Sequence, residues 1–128
     1  MLNSVILISL GAAAGAVLRW LLALGLNGLF PAIPPGTLAA NLIGAYLMGV
    51  AMEALSAPLG MAPELRLLLI TGFLGGLTTF SAFSGEVAAL LQQGRVVLAG
   101  AEIALHVAGS IVLTLLGIVT VLAVRRIA

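Results

Sequence analysis

The chain has 128 residues, of which 62% are hydrophobic and only 7% are charged. Soluble globular domains carry roughly 25% charged residues, so the composition excludes a water-soluble core and indicates a membrane protein. Cysteine and lysine are both absent, which excludes disulfides, thiolate metal sites and a basic patch for nucleic acid. A spanning helix takes about 20 residues, so four spans leave no room for a large extramembrane enzyme.

The first two apolar segments are separated by a proline-rich loop. We predict the first span over residues 2–26, because the apolar run continues that far. The adjacent prolines Pro34 and Pro35 interrupt the pattern, since each removes a backbone donor. Proline is nevertheless tolerated in the first turn of a helix, and the second span is therefore predicted over residues 35–54.

The third apolar segment is too long for one straight span. It follows a second predicted loop that contains Ser56, Pro58 and Gly60, and it extends over residues 63–92. As a single helix it would be about 45 Å long, which exceeds a hydrocarbon core of about 30 Å. Glycines and threonines, which are weak helix formers, crowd residues 72–79. We therefore predict a break at the middle of this helix.

The fourth span is predicted over residues 96–124, and the chain is then a single all-α membrane domain with both termini on one side. By the positive-inside rule, the arginines near span ends specify its orientation poorly, because they divide three to two between the two sides. Those on the side of the termini are Arg66, Arg125 and Arg126, and those on the other side are Arg95 and Arg19.

Polar side chains inside the spans are informative, because each costs free energy unless it faces protein or water. Three groups stand out: Thr37 and Asn41; Thr78, Thr79, Ser81 and Ser84 beside Phe80 and Phe83; and His106, Ser110 and Thr114, with Glu102 one turn earlier. The last group repeats every four residues and so shares one helix face. Such groups either form hydrogen bonds between helices or line the path of a solute, and the residues alone leave both interpretations open.

Charged and titratable residues within the spans have alternative interpretations. Arg19 either extends to the nearer interface or faces an aqueous cavity that attracts anions. Glu86 and Glu102 lie nearer the membrane interior than the other acidic residues, and either could flank the path of a solute. His106 is the only histidine, and a lone histidine is more often a packing residue than a metal ligand.

Three motifs occur in order along the chain: GAAAGAVLRW at residues 11–20, GTLAANLIG at residues 36–44 and GFLGGLTTFSAF at residues 72–83. Together they resemble the Fluc (CrcB) family of fluoride channels. The resemblance implies a fluoride-selective channel in the cell inner membrane that exports fluoride passively from the cytoplasm and protects against fluoride toxicity. It also implies an antiparallel, dual-topology homodimer with two pores along the subunit interface.

The resemblance further implies roles for residues that match the motifs. Phe80 and Phe83 are similar to the pore phenylalanines, whose ring edges carry partial positive charge, and Asn41 is similar to the pore asparagine, which offers N–H donors. The other implied pore or vestibule residues are Thr37, Ser81, Ser84, His106, Ser110, Thr114 and, near the entrance, Arg19. The carbonyl groups of Gly75 and Thr78 resemble those that surround a structural sodium ion between the two subunits.

Two other classes of function fit the composition. A small multidrug-resistance-type exporter has the same size, but it exchanges protons for cations at an intramembrane carboxylate. The first span has no carboxylate and carries Arg19, which would repel a cationic substrate. A structural membrane subunit without transport activity would use the polar groups only to hold its helices together.

Overall fold

The computed structural model describes residues 1–55 and 63–127 of the chain, and its regular structure is helical. Helix α1 extends over Leu2–Leu26 and α2 over Pro35–Ala54. The third span consists of α3, residues 63–77, and α4, Phe80–Gln92. Helix α5 extends over Val96–Ile127, beyond the predicted end at residue 124. The predicted loop residues Ser56, Pro58 and Gly60 lie outside the described residues.

Four helical segments among the described residues are long and apolar enough to cross a membrane. A helix satisfies its own backbone hydrogen bonds, which is a requirement in a solvent without water. The all-α architecture with four spans is therefore confirmed.

The break predicted in the third span is also confirmed. Helix α3 has wide, π-helical turns over Leu67–Leu74 and ends at Leu77. Thr78 and Thr79 are extended, with ψ angles of 152° and 110°. The Thr79 hydroxyl then caps α4 by accepting a hydrogen bond from the Ala82 amide at 3.2 Å, which is the usual role of threonine at a helix start.

Glycines allow the helices to approach one another closely. A Cβ atom added to Gly15 of α1 would overlap the Phe73 carbonyl oxygen of α3 and lie 2.7 Å from the Leu77 nitrogen. Gly49 of α2 meets the backbone of α5 at Thr114 in a similar way. The small residues of α1 thus pack helices within one subunit, as small residues commonly do in membranes.

The interior of the bundle is small and partly polar. Its apolar centre consists of Ala40, Leu74 and Leu77. In α5 the buried residues are Ala99, Glu102, His106 and Gly117. A long apolar helix therefore turns two of its polar side chains inward, where protein rather than lipid surrounds them.

Candidate functional site

A cavity of about 430 Å³ lies between α2, the break in the third span and α5; we call it the large cavity. Six of the predicted pore residues line it: Asn41, Phe80, Phe83, His106, Ser110 and Thr114. Phe80 is 77% exposed, so the cavity reaches the surface of the chain. None of the lining residues is an aspartate, glutamate, arginine or lysine.

Asn41 of α2 forms hydrogen bonds with the break in the third span. The Thr79 amide donates to Asn41 Oδ1 at 2.7 Å, and Asn41 Nδ2 donates to the Thr79 carbonyl oxygen at 3.1 Å. Both backbone groups of Thr79 lack helical partners because the residue is extended, and unpaired backbone groups are costly in a membrane. The asparagine amide replaces a paired peptide group and stabilises the interruption.

Asn41 also sets the proton position on His106. Asn41 Nδ2 lies 3.1 Å from His106 Nδ1. The bond from the Thr79 amide fixes the amide of Asn41 with its oxygen toward Thr79 and its nitrogen toward the histidine. Nδ1 is therefore the acceptor, and a neutral imidazole then carries its hydrogen on Nε2.

The aromatic rings form a continuous group with this histidine. The rings of Phe80 and Phe83 are edge to face, with centroids 5.4 Å apart and an interplanar angle of 64°. Phe83 stacks on His106 at 4.6 Å and 23°. Phe83 is only 7% exposed, so the buried ring positions the exposed one at the surface of the cavity.

The predicted hydroxyl residues are not all in the large cavity. Ser110 and Thr114 line it, and the Thr114 hydroxyl donates to the carbonyl oxygens of Ala45 at 3.1 Å and Ser110 at 2.9 Å. Ser81 and Ser84 are not among its lining residues. Their hydroxyls instead contact the Thr79 hydroxyl at 3.3 Å and the Phe80 carbonyl oxygen at 2.8 Å, respectively.

Arg19 lines a second cavity of about 240 Å³, together with Trp20, Thr37 and Thr79; we call it the Arg19 cavity. Its Nε donates to the carbonyl oxygen of Gly76 at 3.1 Å. Of the two interpretations of Arg19, this placement favours the cavity-facing one, and the guanidinium stabilises a carbonyl group next to the break.

Gly75 and Thr78 are the residues predicted to offer backbone oxygens to sodium. Gly75 begins the last turn of α3, and Thr78 directly follows that turn. Gly75 is on the surface of the chain, and a Cβ added there would meet only the Ile70 carbonyl oxygen, at 3.9 Å. The Thr78 hydroxyl donates to the Leu74 carbonyl oxygen at 2.9 Å. Within the described residues, Gly75 is therefore exposed on this face of the chain.

A buried cluster of Glu86, Glu102 and His106 was not predicted as a unit. One ligand atom of each residue lies within 4.8 Å of the others, and the Thr37 hydroxyl donates to Glu86 Oε1 at 2.7 Å. Thr37 thus binds Glu86 and lines the Arg19 cavity. The four-residue spacing of Glu102 and His106 is the sequence signal that places both on one helix face. No local sequence pattern predicts that these two residues lie close to Glu86 of α4.

A third cavity, of about 150 Å³, is lined by Pro34, Glu86, Gln93 and Arg95 among others; we call it the Arg95 cavity. It lies beside the turn between α4 and α5. Glu86 therefore belongs both to the buried cluster and to the wall of this cavity, whereas His106 belongs both to the cluster and to the wall of the large cavity.

Comparison with known proteins gives a family for the chain. Residues 6–118 match the family model described as "CrcB-like protein, Camphor Resistance (CrcB)". A protein of Tolumonas auensis named "Fluoride-specific ion channel FluC" is 64% identical over 126 residues, which cover 98% of this chain and 99% of that protein. Proteins of the same name from Pseudomonas putida and Chromobacterium violaceum are 58% and 55% identical. The first alignment covers 94% of both chains, and the second covers 98% of this chain and all of its relative. With four helices able to cross a membrane, the chain is a multi-pass membrane protein that belongs to the CrcB-like family.

Proposed function

We propose that this chain is a fluoride-selective channel that carries fluoride passively out of the cytoplasm across the cell inner membrane and so protects the cell from fluoride. Its relatives at 53% to 64% identity are named fluoride-specific ion channels. The observation that carries the proposal is the large cavity, which combines an amide, hydroxyls and phenylalanine rings without any fully charged side chain. No covalent chemistry is part of this function.

The lining suits a small, strongly hydrated anion. Fluoride entering the bilayer has to exchange its water for donors of similar total strength, and these must not hold it so tightly that it stays. Ring edges of Phe80 and Phe83 and the hydroxyl of Ser110 are such donors. In the resting arrangement Asn41 uses its N–H groups on Thr79 and His106, so fluoride recruits this amide by displacing the histidine contact.

The proposed channel is an antiparallel homodimer with two pores along the subunit interface. One chain provides only part of a pore wall, since Phe80 is 77% exposed at the mouth of the large cavity. A second copy would cover this ring and complete the wall. The three-to-two division of arginines between the two sides supports insertion in both orientations.

A structural sodium ion between the two breaks is part of the proposal. The exposed position of Gly75 and the extended backbone of Thr78 leave carbonyl groups near the surface that would face a second copy. Carbonyl oxygens at interrupted helices suit an alkali cation. The ion would supply positive charge that holds the two breaks together.

Proteoliposomes loaded with potassium fluoride test the function. We expect valinomycin to trigger rapid fluoride release, measured with a fluoride electrode, and no comparable chloride release from vesicles loaded with potassium chloride. Glu86 and Glu102 are carboxylates inside the spans, and an exporter would need such a group. Proton-driven uptake of a cationic drug is therefore measured as well. Uptake of the drug without fluoride release would establish an exporter. The absence of both activities would indicate a structural subunit.

The orientation of the subunits requires a separate experiment. Because the chain has no cysteine, a single cysteine at Gln93 reports the side of the membrane on which the α4–α5 turn lies. We expect an impermeant thiol reagent to label about half of the chains in sealed, unsorted cells, in keeping with a weak charge bias. Labelling of all or none of the chains would contradict dual topology.

A further inference from the structure

Glu102 and His106 are buried and Glu86 is half-buried, and no arginine side chain pairs with them in the described part of the chain. Glu102 is 0% exposed and His106 is 4% exposed. Four polar atoms are buried and have no hydrogen-bond partner among the described residues: both carboxylate oxygens of Glu102, Oε2 of Glu86 and Nε2 of His106. Two ionised carboxylates in such a place are strongly unfavourable. The cluster therefore needs a proton or a cation.

The neighbouring elements do not supply a side-chain cation. In the described part of the chain, neither glutamate forms an ion pair with an arginine. Arg95 shares a cavity with Glu86, and Arg19 lines the cavity that contains Thr37. The contact to Glu86 from α2 is the neutral hydroxyl of Thr37. The remaining titratable group that faces the pair is His106.

A metal ion fits the cluster less well than a proton does. Ligation by Nε2 of His106 requires a lone pair on that atom, but the hydrogen bond from Asn41 to Nδ1 leaves the hydrogen of a neutral ring on Nε2. Nδ1 is itself occupied by Asn41. Two carboxylates would then be the only available ligands.

The contact between the two glutamates indicates where the proton lies. One carboxylate oxygen of Glu86 and one of Glu102 lie within 4.8 Å of each other. Ionised carboxylate oxygens only accept hydrogen bonds, so the two groups cannot bond to each other while both are charged. One proton on either group turns the contact into a charge-assisted hydrogen bond, which is among the stronger kinds.

The pair lies between two cavities that an anion would use. His106 lines the large cavity and Glu86 lines the Arg95 cavity, and both belong to the cluster. A fluoride ion that moves from one cavity to the other passes the two carboxyl groups. Two ionised carboxylates would repel it, whereas a protonated carboxyl offers it an O–H donor.

We propose that Glu86 and Glu102 hold one proton between them, and that the Glu86 O–H turns from Glu102 to donate a hydrogen bond to fluoride as the ion passes between the large cavity and the Arg95 cavity. Glu102 is thus a positioning residue, which orients Glu86 and lowers the charge of the passage. The proton stays on the pair and no covalent bond to it is broken in transport. This inference rests on the proposed function.

The first test is fluoride release from proteoliposomes at equal internal and external pH, with release from protein-free vesicles subtracted at each pH. We expect wild-type release to be steady while the pair holds its proton and to fall by about tenfold per pH unit once the pair loses it, over a pH range that covers both states. In Glu102→Gln, the side-chain amide donates a hydrogen bond to Glu86 but cannot titrate, so Glu86 is ionised. Fluoride release by this variant should therefore be low at every pH tested. Glu64→Gln, at the exposed start of α3, is the matched control and should follow the wild type.

The second test measures the proton directly on purified protein. The wild type and Glu64→Gln should show the infrared carbonyl stretch of a protonated carboxyl group at about neutral pH, at which an ordinary glutamate is ionised. Glu102→Gln should lack this band while keeping the helical amide band of a folded protein. This measurement does not depend on transport, so it judges the acid pair even if no fluoride is released.

The proposal stands only if both results are obtained. Release that is independent of pH in the wild type, or a wild-type profile in Glu102→Gln, overturns the role in the pathway. A carboxyl band that is missing from the wild type overturns the shared proton. If a chelator abolishes release by the wild type, a metal ion occupies the cluster and the proposal is wrong.

Discussion

Asn41 of α2 holds Thr79 by both of its backbone groups, with hydrogen bonds of 2.7 Å from the Thr79 amide and 3.1 Å to its carbonyl oxygen. A single side chain thus satisfies the residue at which the third span is interrupted. The same amide meets His106 at 3.1 Å. The fold of the break and the lining of the large cavity therefore depend on one residue.

Asn41→Asp is expected to damage both stability and transport. The aspartate still accepts from the Thr79 amide, but it has no donor for the Thr79 carbonyl oxygen or for His106. Leaving buried groups unpaired costs about 1–3 kcal/mol each, so we expect a lower melting temperature and fluoride release reduced by about a hundredfold. Asn3→Asp, on the exposed start of α1, is the control. Wild-type release by Asn41→Asp would contradict the role of the amide as a donor.

Phe80→Ile is expected to impair transport more than folding of the subunit. Isoleucine keeps an apolar side chain but removes the ring edge, so we expect at least about a tenfold decrease in fluoride release, equivalent to about 1.4 kcal/mol. The thermal stability of the subunit should change little, since Phe80 is 77% exposed. Phe30→Ile, at a position that is 50% exposed and outside the cavities described above, should release fluoride normally. Unchanged release by Phe80→Ile would argue against an aromatic role.

Gly15→Ala tests the close packing of α1 against α3. The added methyl group would overlap the backbone of Phe73, and overpacking of this kind costs about 1–3 kcal/mol. We expect a lower melting temperature in detergent and a loss of assembled protein. Gly25→Ala is the matched control in the same helix, because a Cβ added at Gly25 meets nothing within 4 Å. It should stabilise the helix by about 0.5–1 kcal/mol. Equal stability of the two variants would show that the helices are further apart than described.

Arg125→Gln should weaken the end of the bundle without affecting transport. Arg125 binds Glu53 Oε1 at 3.0 Å and also donates to the carbonyl oxygens of Glu53 and Ala54 at the end of α2. The side chains are 40% and 23% exposed, and exposed ion pairs contribute about 0–1 kcal/mol. We expect a loss of stability of about 1 kcal/mol and normal fluoride release. Arg126→Gln is the control, and a large effect of Arg125→Gln on release would place this end in the pathway.

Removal of sodium tests the proposed ion between the subunits. Protein purified and reconstituted in a sodium-free buffer with a large organic cation should lose dimer stability, because carbonyl oxygens facing one another without a cation repel. We expect fluoride release to fall by about tenfold or more, which corresponds to about 1.4 kcal/mol or more, and to recover when sodium is returned. Indifference to sodium in both release and dimer content would contradict the ion.

Local composition determines the number of spans and the place of the break. Long apolar runs become helices because lipid offers the backbone no hydrogen-bond partners. The interruption at residues 72–79 follows from glycines and threonines, which form helices poorly. The polar residues of α5 also reveal a common face through their four-residue spacing.

The contacts between those faces depend on how each helix is rotated and tilted against its neighbours. Asn41 and Thr79 are 38 residues apart, and no local pattern predicts that the amide pairs with that peptide. Ser81 and Ser84 belong to the same motif as Phe80, yet their hydroxyls turn to the backbone and to Thr79 rather than to the large cavity.

A four-span helical membrane protein with an interrupted third span and polar residues inside it is thus predictable from the order of residues, since these properties depend on each segment's own transfer from water to lipid. The contacts of Asn41 with the break, and of Glu86 with Glu102 and His106, are visible only once the helices are packed together. These are contacts between helices, and they are set by close packing at glycines and by the need to pair every buried polar group.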